Sequence, residues 1–243
     1  MEIFKITDSG ANVSNIAYMY GGLSEVLSSS SRKFSAYDDG SRSVLEIEAV
    51  SGYADMIRAE IEDKIADVIA VNYKYSYFAS TLRPYGLAED ERGILISALI
   101  SADIDDDRTY IKRKITSDGE YAVDGIFNFR LAPLKKKWED VASYIPETFN
   151  VEKLKDFISF ILEEKTGVRV FVENGRVFDR HFRRINRTAL TGRNYKADRL
   201  VNEILLSGCG EAELLTRLAE EEENYLREFI GGKIIFGKTY FNA

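Results

Sequence analysis

The residues of this chain best suited to chemistry are a run of cations. Between Arg176 and Arg199 stand eight lysines and arginines (Arg176, Arg180, Arg183, Arg184, Arg187, Arg193, Lys196, Arg199) against two acids, Asp179 and Asp198, a local charge of +6 in a chain whose net charge is −7. Everything outside the run therefore sums to −13. A basic island in an acidic chain points to contact with something anionic, whether nucleic acid, phosphate or an acidic patch on a protein partner. Arg180, Arg183, Arg184 and Arg187 fall at spacings of three and four, which on a helix would place them on one face, and guanidinium forks match phosphate oxygens two at a time. Phe178, Phe182 and Tyr195 are interleaved with them, as in surfaces that stack bases beside a basic groove. The competing reading is that these arginines pair internally with Asp and Glu or form a solvated face, where each pair contributes little.

Other reactive side chains are few. His181 lies inside the island and belongs with its candidate binding residues; a general-base role would need a positioned partner, and the alternative is an ordinary surface or core histidine. Cys209 sits between two glycines, either a nucleophile near a helix start or a small buried hydrophobe. With one His and one Cys in the whole chain, a His- or Cys-rich metal site and an internal disulfide are excluded. The acids Asp103, Asp105, Asp106 and Asp107 invite a calcium loop, but such a loop would require Gly and Glu where Arg108 and Lys114 stand. They are expected instead to favour a helix N-terminus, with Arg113 and Lys114 at the other end. Gly237-Lys238-Thr239 superficially resembles a phosphate-binding loop, yet it has only four residues after it and no helix to open. No metal and no cofactor is expected.

The elements that must carry these residues follow from periodicity. Ile3–Ile6 alternates and reads as a strand, and Ile16, Met19, Tyr20, Leu23, Val26 and Leu27 recur at helical spacing before a serine run, 28–31. Asp38-Asp-Gly-Ser41 joins 33–37 to 43–50 as a hairpin, with Leu45, Ile47 and Ala49 inward. A helix is predicted from Tyr53 to Arg83 on Ile57, Ile61, Ile65, Val68 and Asn72, ended by Pro84. Two more follow, over 88–102 and 106–115. Ser117-Asp-Gly-Glu120 breaks the pattern, and 121–144 reads as a helix that accepts Pro133 near its first turn, although 121–131 is also compatible with a buried strand. Val151–Lys165 is an amphipathic helix closed by Thr166-Gly167. Glu173-Asn-Gly175 joins 168–172 to 176–179 as a second hairpin, and helices over 198–206 and 211–229 precede a last strand, 233–236.

Gly125, Phe129, Arg130 and Leu131, followed about twenty residues later by Glu152, Lys153, Phe157 and Ile158, form two short blocks. In these the chain resembles the YtxC-like sporulation proteins of endospore-forming bacteria. The resemblance covers the middle half of the chain and implies an uncharacterised bacterial protein without assigned chemistry. Members of that family tend to end in a cysteine-containing tail, which this chain lacks.

At 243 residues and 45% apolar content the chain can bury a real core. The expected fold is α+β, with a helix-rich middle region and small mixed β layers at the N-terminal and C-terminal ends. The segments are 1–50 (strand, helix, strand, strand), 51–165 (helices) and 166–243 (hairpin, helices and final strand), as separate units or one continuous domain. No run approaches the length of a membrane span, and Met1-Glu-Ile-Phe-Lys-Ile-Thr7 lacks the features of a secretory signal, so a cytoplasmic location without membrane insertion is expected. The function expected is that of a non-enzymatic interaction protein, touching a protein partner or an anionic ligand through 176–199. The alternatives are a nucleic-acid-binding protein using the same arginines and, last, a hydrolase whose site the sequence does not locate.

Overall fold

The structure is a computed structural model that describes residues 2–27, 30–116, 118–165, 167–238 and 240. Ser28, Ser29, Ser117, Thr166 and Thr239, used above as punctuation or motif residues, lie outside the described residues, as does the side chain of Val26. In chain order the elements are β1 (Glu2–Ser9), α1 (Val13–Leu27), β2 (Ser31–Asp38), β3 (Arg42–Ala49), α2 (Ala54–Asp67), α3 (Lys74–Thr81), α4 (Glu89–Lys114), β4 (Glu120–Ala122), α5 (Val123–Arg130), α6 (Ala132–Tyr144), α7 (Val151–Glu164), β5 (Arg169–Glu173), β6 (Arg176–Phe178), β7 (Arg184–Ile185), α8 (Arg199–Ser207), β8 (Glu211–Leu214), α9 (Glu220–Phe229) and β9 (Ile234–Phe236). The fold is α+β, with a helical middle and a mixed sheet towards each end. Among the described residues no helix is long and apolar enough to cross a membrane.

The chain forms two compact units, neither of them a single stretch: Met1–Tyr73 with Asp105–Asp140, and Lys74–Ile104 with Val141–Ala243. In the first, the sheet order is β2-β3-β1-β4, with β1 antiparallel to β3 and parallel to β4. Alternation drives it: Phe4 and Ile6 of β1 and Leu45, Ile47 and Ala49 of β3 are buried under α1, whose Ile16, Met19, Leu23 and Leu27 form the facing stripe. β1 runs past the predicted Ile6 because Asp8 and Ser9 keep pairing with Ser43 and Arg42. Asp8 is fully buried and accepts hydrogen bonds from Ser9 N, Asn12 Nδ2, Asn15 Nδ2 and Tyr73 Oη at 2.7–3.2 Å. Four donors are what let a carboxylate stay in an apolar interior. Burial, with the Asp8 charge second, pushes the Tyr73 phenol well above its usual range.

Several predicted helices are divided differently. The one expected over 53–83 contains a π-helical turn, Val68–Tyr73, between α2 and α3, while the two expected over 88–102 and 106–115 are one helix, α4, bent where Asp103 leaves helical geometry (φ −135°, ψ 19°). The acidic cluster therefore straddles a bend rather than opening a helix. The helix expected over 121–144 begins as a strand, β4, and is then interrupted at Leu131 (φ −115°, ψ 28°). Pro133 has no N–H to give Phe129 and its ring excludes that carbonyl, so α5 must stop and α6 start afresh.

In the second unit the sheet order is β7-β6-β5-β8-β9, with β5, β8 and β9 parallel and β5, β6 and β7 antiparallel. Val170, Val172, Val177, Ala212 and Leu214 form its buried face, and α8, which packs on β6 and α9, buries Leu200, Val201, Ile204 and Leu205. The helix expected over 211–229 is a strand followed by a shorter helix. Glu211-Ala-Glu-Leu214 alternates half-buried and buried between β5 and β9, so the period there is two, and α9 starts only at Glu220.

Candidate functional site

The basic island is not one helix: Arg176–Arg184 run through strands and a turn, and only a short 3-10 turn, Arg187–Leu190, and Arg199, the first residue of α8, are helical. Asn174 (φ 49°) and Gly175 (φ 68°) make the tight turn from β5 to β6 that an Asn-Gly pair predicts. Instead of coiling, the chain then turns back at once as β7, the edge strand, pairing Val177 with Ile185 and Phe178 with Arg184. Asp179 decides this: its Oδ1 accepts from the backbone N–H of His181 at 2.7 Å and of Arg183 at 2.9 Å, while Asp179 N donates to Arg183 O at 3.0 Å. Such local side-chain bonds offer the backbone an alternative to a helix.

At the tip, Phe182 adopts φ 56°, a left-handed conformation rare for a bulky residue that costs on the order of 1–3 kcal/mol. Its ring stacks on Phe171 at 5.0 Å and 12°, with Phe178 at 6.5 Å, and Phe182 remains 59% exposed. Phe171 and Phe178 face each other across β5 and β6 on the side of the sheet opposite Val172 and Val177. Around these rings Arg176, Arg180, His181, Arg183 and Arg184 are all exposed. Arg180 Nε donates to His181 Nε2 at 3.1 Å. Arg176, Arg180 and Arg184 make no ion pair among the described residues, whereas Arg169, two residues from Phe171 on the same strand, is held by Glu211 at 3.0 Å and Glu213 at 3.2 Å.

Three of the remaining island cations, Arg187, Arg193 and Arg199, serve the fold. Arg187 is buried and its Nη1 donates to the carbonyls of Leu206 and Ser207 at 2.7 and 3.3 Å, a cation closing the C-terminal end of α8. In return Glu203 of α8, 1% exposed, accepts from Arg187 N at 2.6 Å, Thr188 N at 3.1 Å and the Thr188 hydroxyl. Arg193 lies over the Tyr195 ring at 4.9 Å and bridges to Asp198 at 3.3 Å. Its guanidinium occupies the space over Gly93, where an added Cβ would meet Nη1 at 1.7 Å. Arg199 braces the Asn-Gly turn through Gly175 O at 2.5 Å and faces Glu222 at 3.7 Å. Lys196 is exposed beside Arg193 on a cavity of about 670 Å³, but Glu89, Asp90, Asp198 and Glu221 line it too. An excess of carboxylates makes that cavity a poor anion site. There the hydrogen bond that Tyr225 donates to Asp90 at 2.5 Å pushes its phenol up to about 12.

Comparison with protein-family models, curated proteins and solved structures returned no match in any of the three.

In the first unit, Gly125, Phe129 and Arg130 line one cleft of about 300 Å³, and Leu131 is buried. Arg130 donates to Thr116 O at 2.9 Å and Thr116 Oγ1 at 2.6 Å, past the end of α4, and Phe129 is 87% exposed. Asp103 pairs with Lys74, and Asp107, 1% exposed, accepts from Lys137 Nζ at 2.7 Å and Trp138 Nε1 at 3.1 Å, so two of the acidic cluster's carboxylates are committed internally.

Cys209 follows α8 rather than opening a helix, is fully buried, and its thiol is pushed by that burial up to about 11. A thiol of that kind is almost wholly protonated near neutrality and lacks the thiolate that reacts. Ellman's reagent is therefore expected to leave the folded protein unmodified over hours and to titrate one thiol once denaturant is added. Rapid labelling of the folded protein would contradict this placement.

Proposed function

We propose that this is a non-enzymatic interaction protein, acting in the cytoplasm, that docks an anionic partner through the β6–β7 ribbon of its second unit. A single observation carries the reading: Arg176, Arg180 and Arg184 stand exposed, with no ion pair among the described residues, on the ribbon that holds a phenyl ring outward in a strained conformation. Three other cations of that unit, Arg169, Arg193 and Arg199, are matched by acids. Unmatched guanidinium groups beside an aromatic cluster leave the phosphate, sulfate or carboxylate complement to a ligand. Kinship with the YtxC-like sporulation proteins is proposed on its own footing, from Gly125, Phe129, Arg130 and Leu131.

Elution from a heparin column tests the reading. Wild type is expected to be retained at low salt and the variant with Arg176, Arg180, Arg183 and Arg184 all changed to alanine to elute markedly earlier, with unchanged circular dichroism because all four side chains are exposed. Coincident elution of the two proteins would overturn it.

A further inference from the structure

We infer that the anionic partner is a single-stranded nucleic acid, one base of which stacks on the outer face of Phe182 while the surrounding arginines hold its phosphates; this rests on the polyanion-binding reading above. An acidic protein patch could be met by the cations, whereas a flat phenyl face left open beside them is a surface on which a base can stack. Phe182 is held outward at some expense to the backbone: φ is 56°, and the Asp179 carboxylate fixes the turn by accepting from the N–H groups of His181 and Arg183. Backbone strain of this sort persists where the surrounding structure enforces it, and it clusters at ligand clamps. One face of the ring is covered by Phe171, stacked at 12°, and 59% of the residue remains open. The open face is flat and apolar, and Arg180, Arg183 and Arg184, all exposed, lie within two residues of Phe182 in the chain, a combination suited to an unpaired base and its flanking phosphates. A duplex hides its base faces within the stack, so a stacking platform selects a single strand. The ribbon ends in β7, the edge strand of its sheet, which pairs with β6 alone among the described strands.

Fluorescence anisotropy with three labelled probes decides the matter: an oligothymidylate of about twelve nucleotides, an abasic strand with the same number of phosphates, and the oligothymidylate annealed to its complement. Wild type is expected to bind the oligothymidylate more tightly than either of the others. Phe182→Ala should weaken oligothymidylate binding by about 5- to 150-fold, the effect of losing one base–aromatic stack, and leave abasic binding unchanged. Phe182→Trp should restore it, which separates lost stacking from a disturbed turn. Equal binding of the abasic and thymidylate strands, preference for the duplex, or indifference to Phe182→Ala would overturn the inference while leaving polyanion binding intact. Retention on heparin with no binding to any strand would likewise overturn it, in favour of another polyanion. Failure of both assays would remove the polyanion reading as well.

Discussion

Asp103→Ala is expected to cost about 3–5 kcal/mol of stability in the second unit. The reason is Lys74, whose side chain is 0% exposed and pairs with Asp103 while its ammonium sits 5.9 Å from the Phe78 ring. Removing the carboxylate takes a counter-charge from an ammonium whose side chain is fully buried, and a buried charge that loses compensation costs far more than a buried polar group. Lys74→Met should cost less, because the side chain keeps its volume and the Asp103 carboxyl, 18% exposed, can recover some solvation. Urea unfolding of both variants measures the order. Equal midpoints, or a loss under about 1 kcal/mol for Asp103→Ala, would show that this ion pair is not what secures the buried lysine.

Glu203→Ala should be of similar size, about 3–5 kcal/mol, by a different route. Its carboxylate is the acceptor for the N–H groups of Arg187 and Thr188 and for the Thr188 hydroxyl, all in a buried setting. Without it two backbone donors lose their acceptor, each at about 1–3 kcal/mol. The clasp runs both ways, since Arg187 closes α8 at Leu206 and Ser207, so Arg187→Ala should destabilise the same region, and the double variant should cost less than the sum of the two. Additive losses in unfolding would mean that the two residues act independently.

These two clusters also mark where the sequence stops being readable. Short-range signals carried well: Asn174-Gly175 and Asp39-Gly40 predict their hairpins because turn conformation is set within a few residues, and the Leu154, Ile158, Ile161 and Leu162 stripe of α7 is a local periodicity. The arginine spacing in the island misled because three- and four-residue intervals are what a helix would use, whereas one carboxylate, Asp179, ties the backbone into a turn. A motif of that length was visible in principle, as Asp followed within a few residues by a reversal. Sorting the island was not local. Arg187 is committed to α8 nineteen and twenty residues away, and nothing in its neighbours distinguishes it from Arg184, which stays exposed. Phe171, which supports the platform, was masked by its ordinary place in a hairpin strand. β8 was lost for the opposite reason: four residues alternate too briefly to compete with the helical stripe of Leu215, Leu218 and Leu226 until β5 and β9 are known to flank them.

The central claim is that the exposed arginines of the β6–β7 ribbon make the ligand's phosphate contacts while the buried ones do not. It is tested most directly by the salt dependence of oligothymidylate binding in wild type and in the variant lacking Arg176, Arg180, Arg183 and Arg184. Each phosphate neutralised on a single strand contributes about 0.7 to the slope of log affinity against log salt. The account predicts a slope shallower by about 2–3 in the variant. Identical slopes, with binding retained, would place the phosphate contacts elsewhere and contradict it.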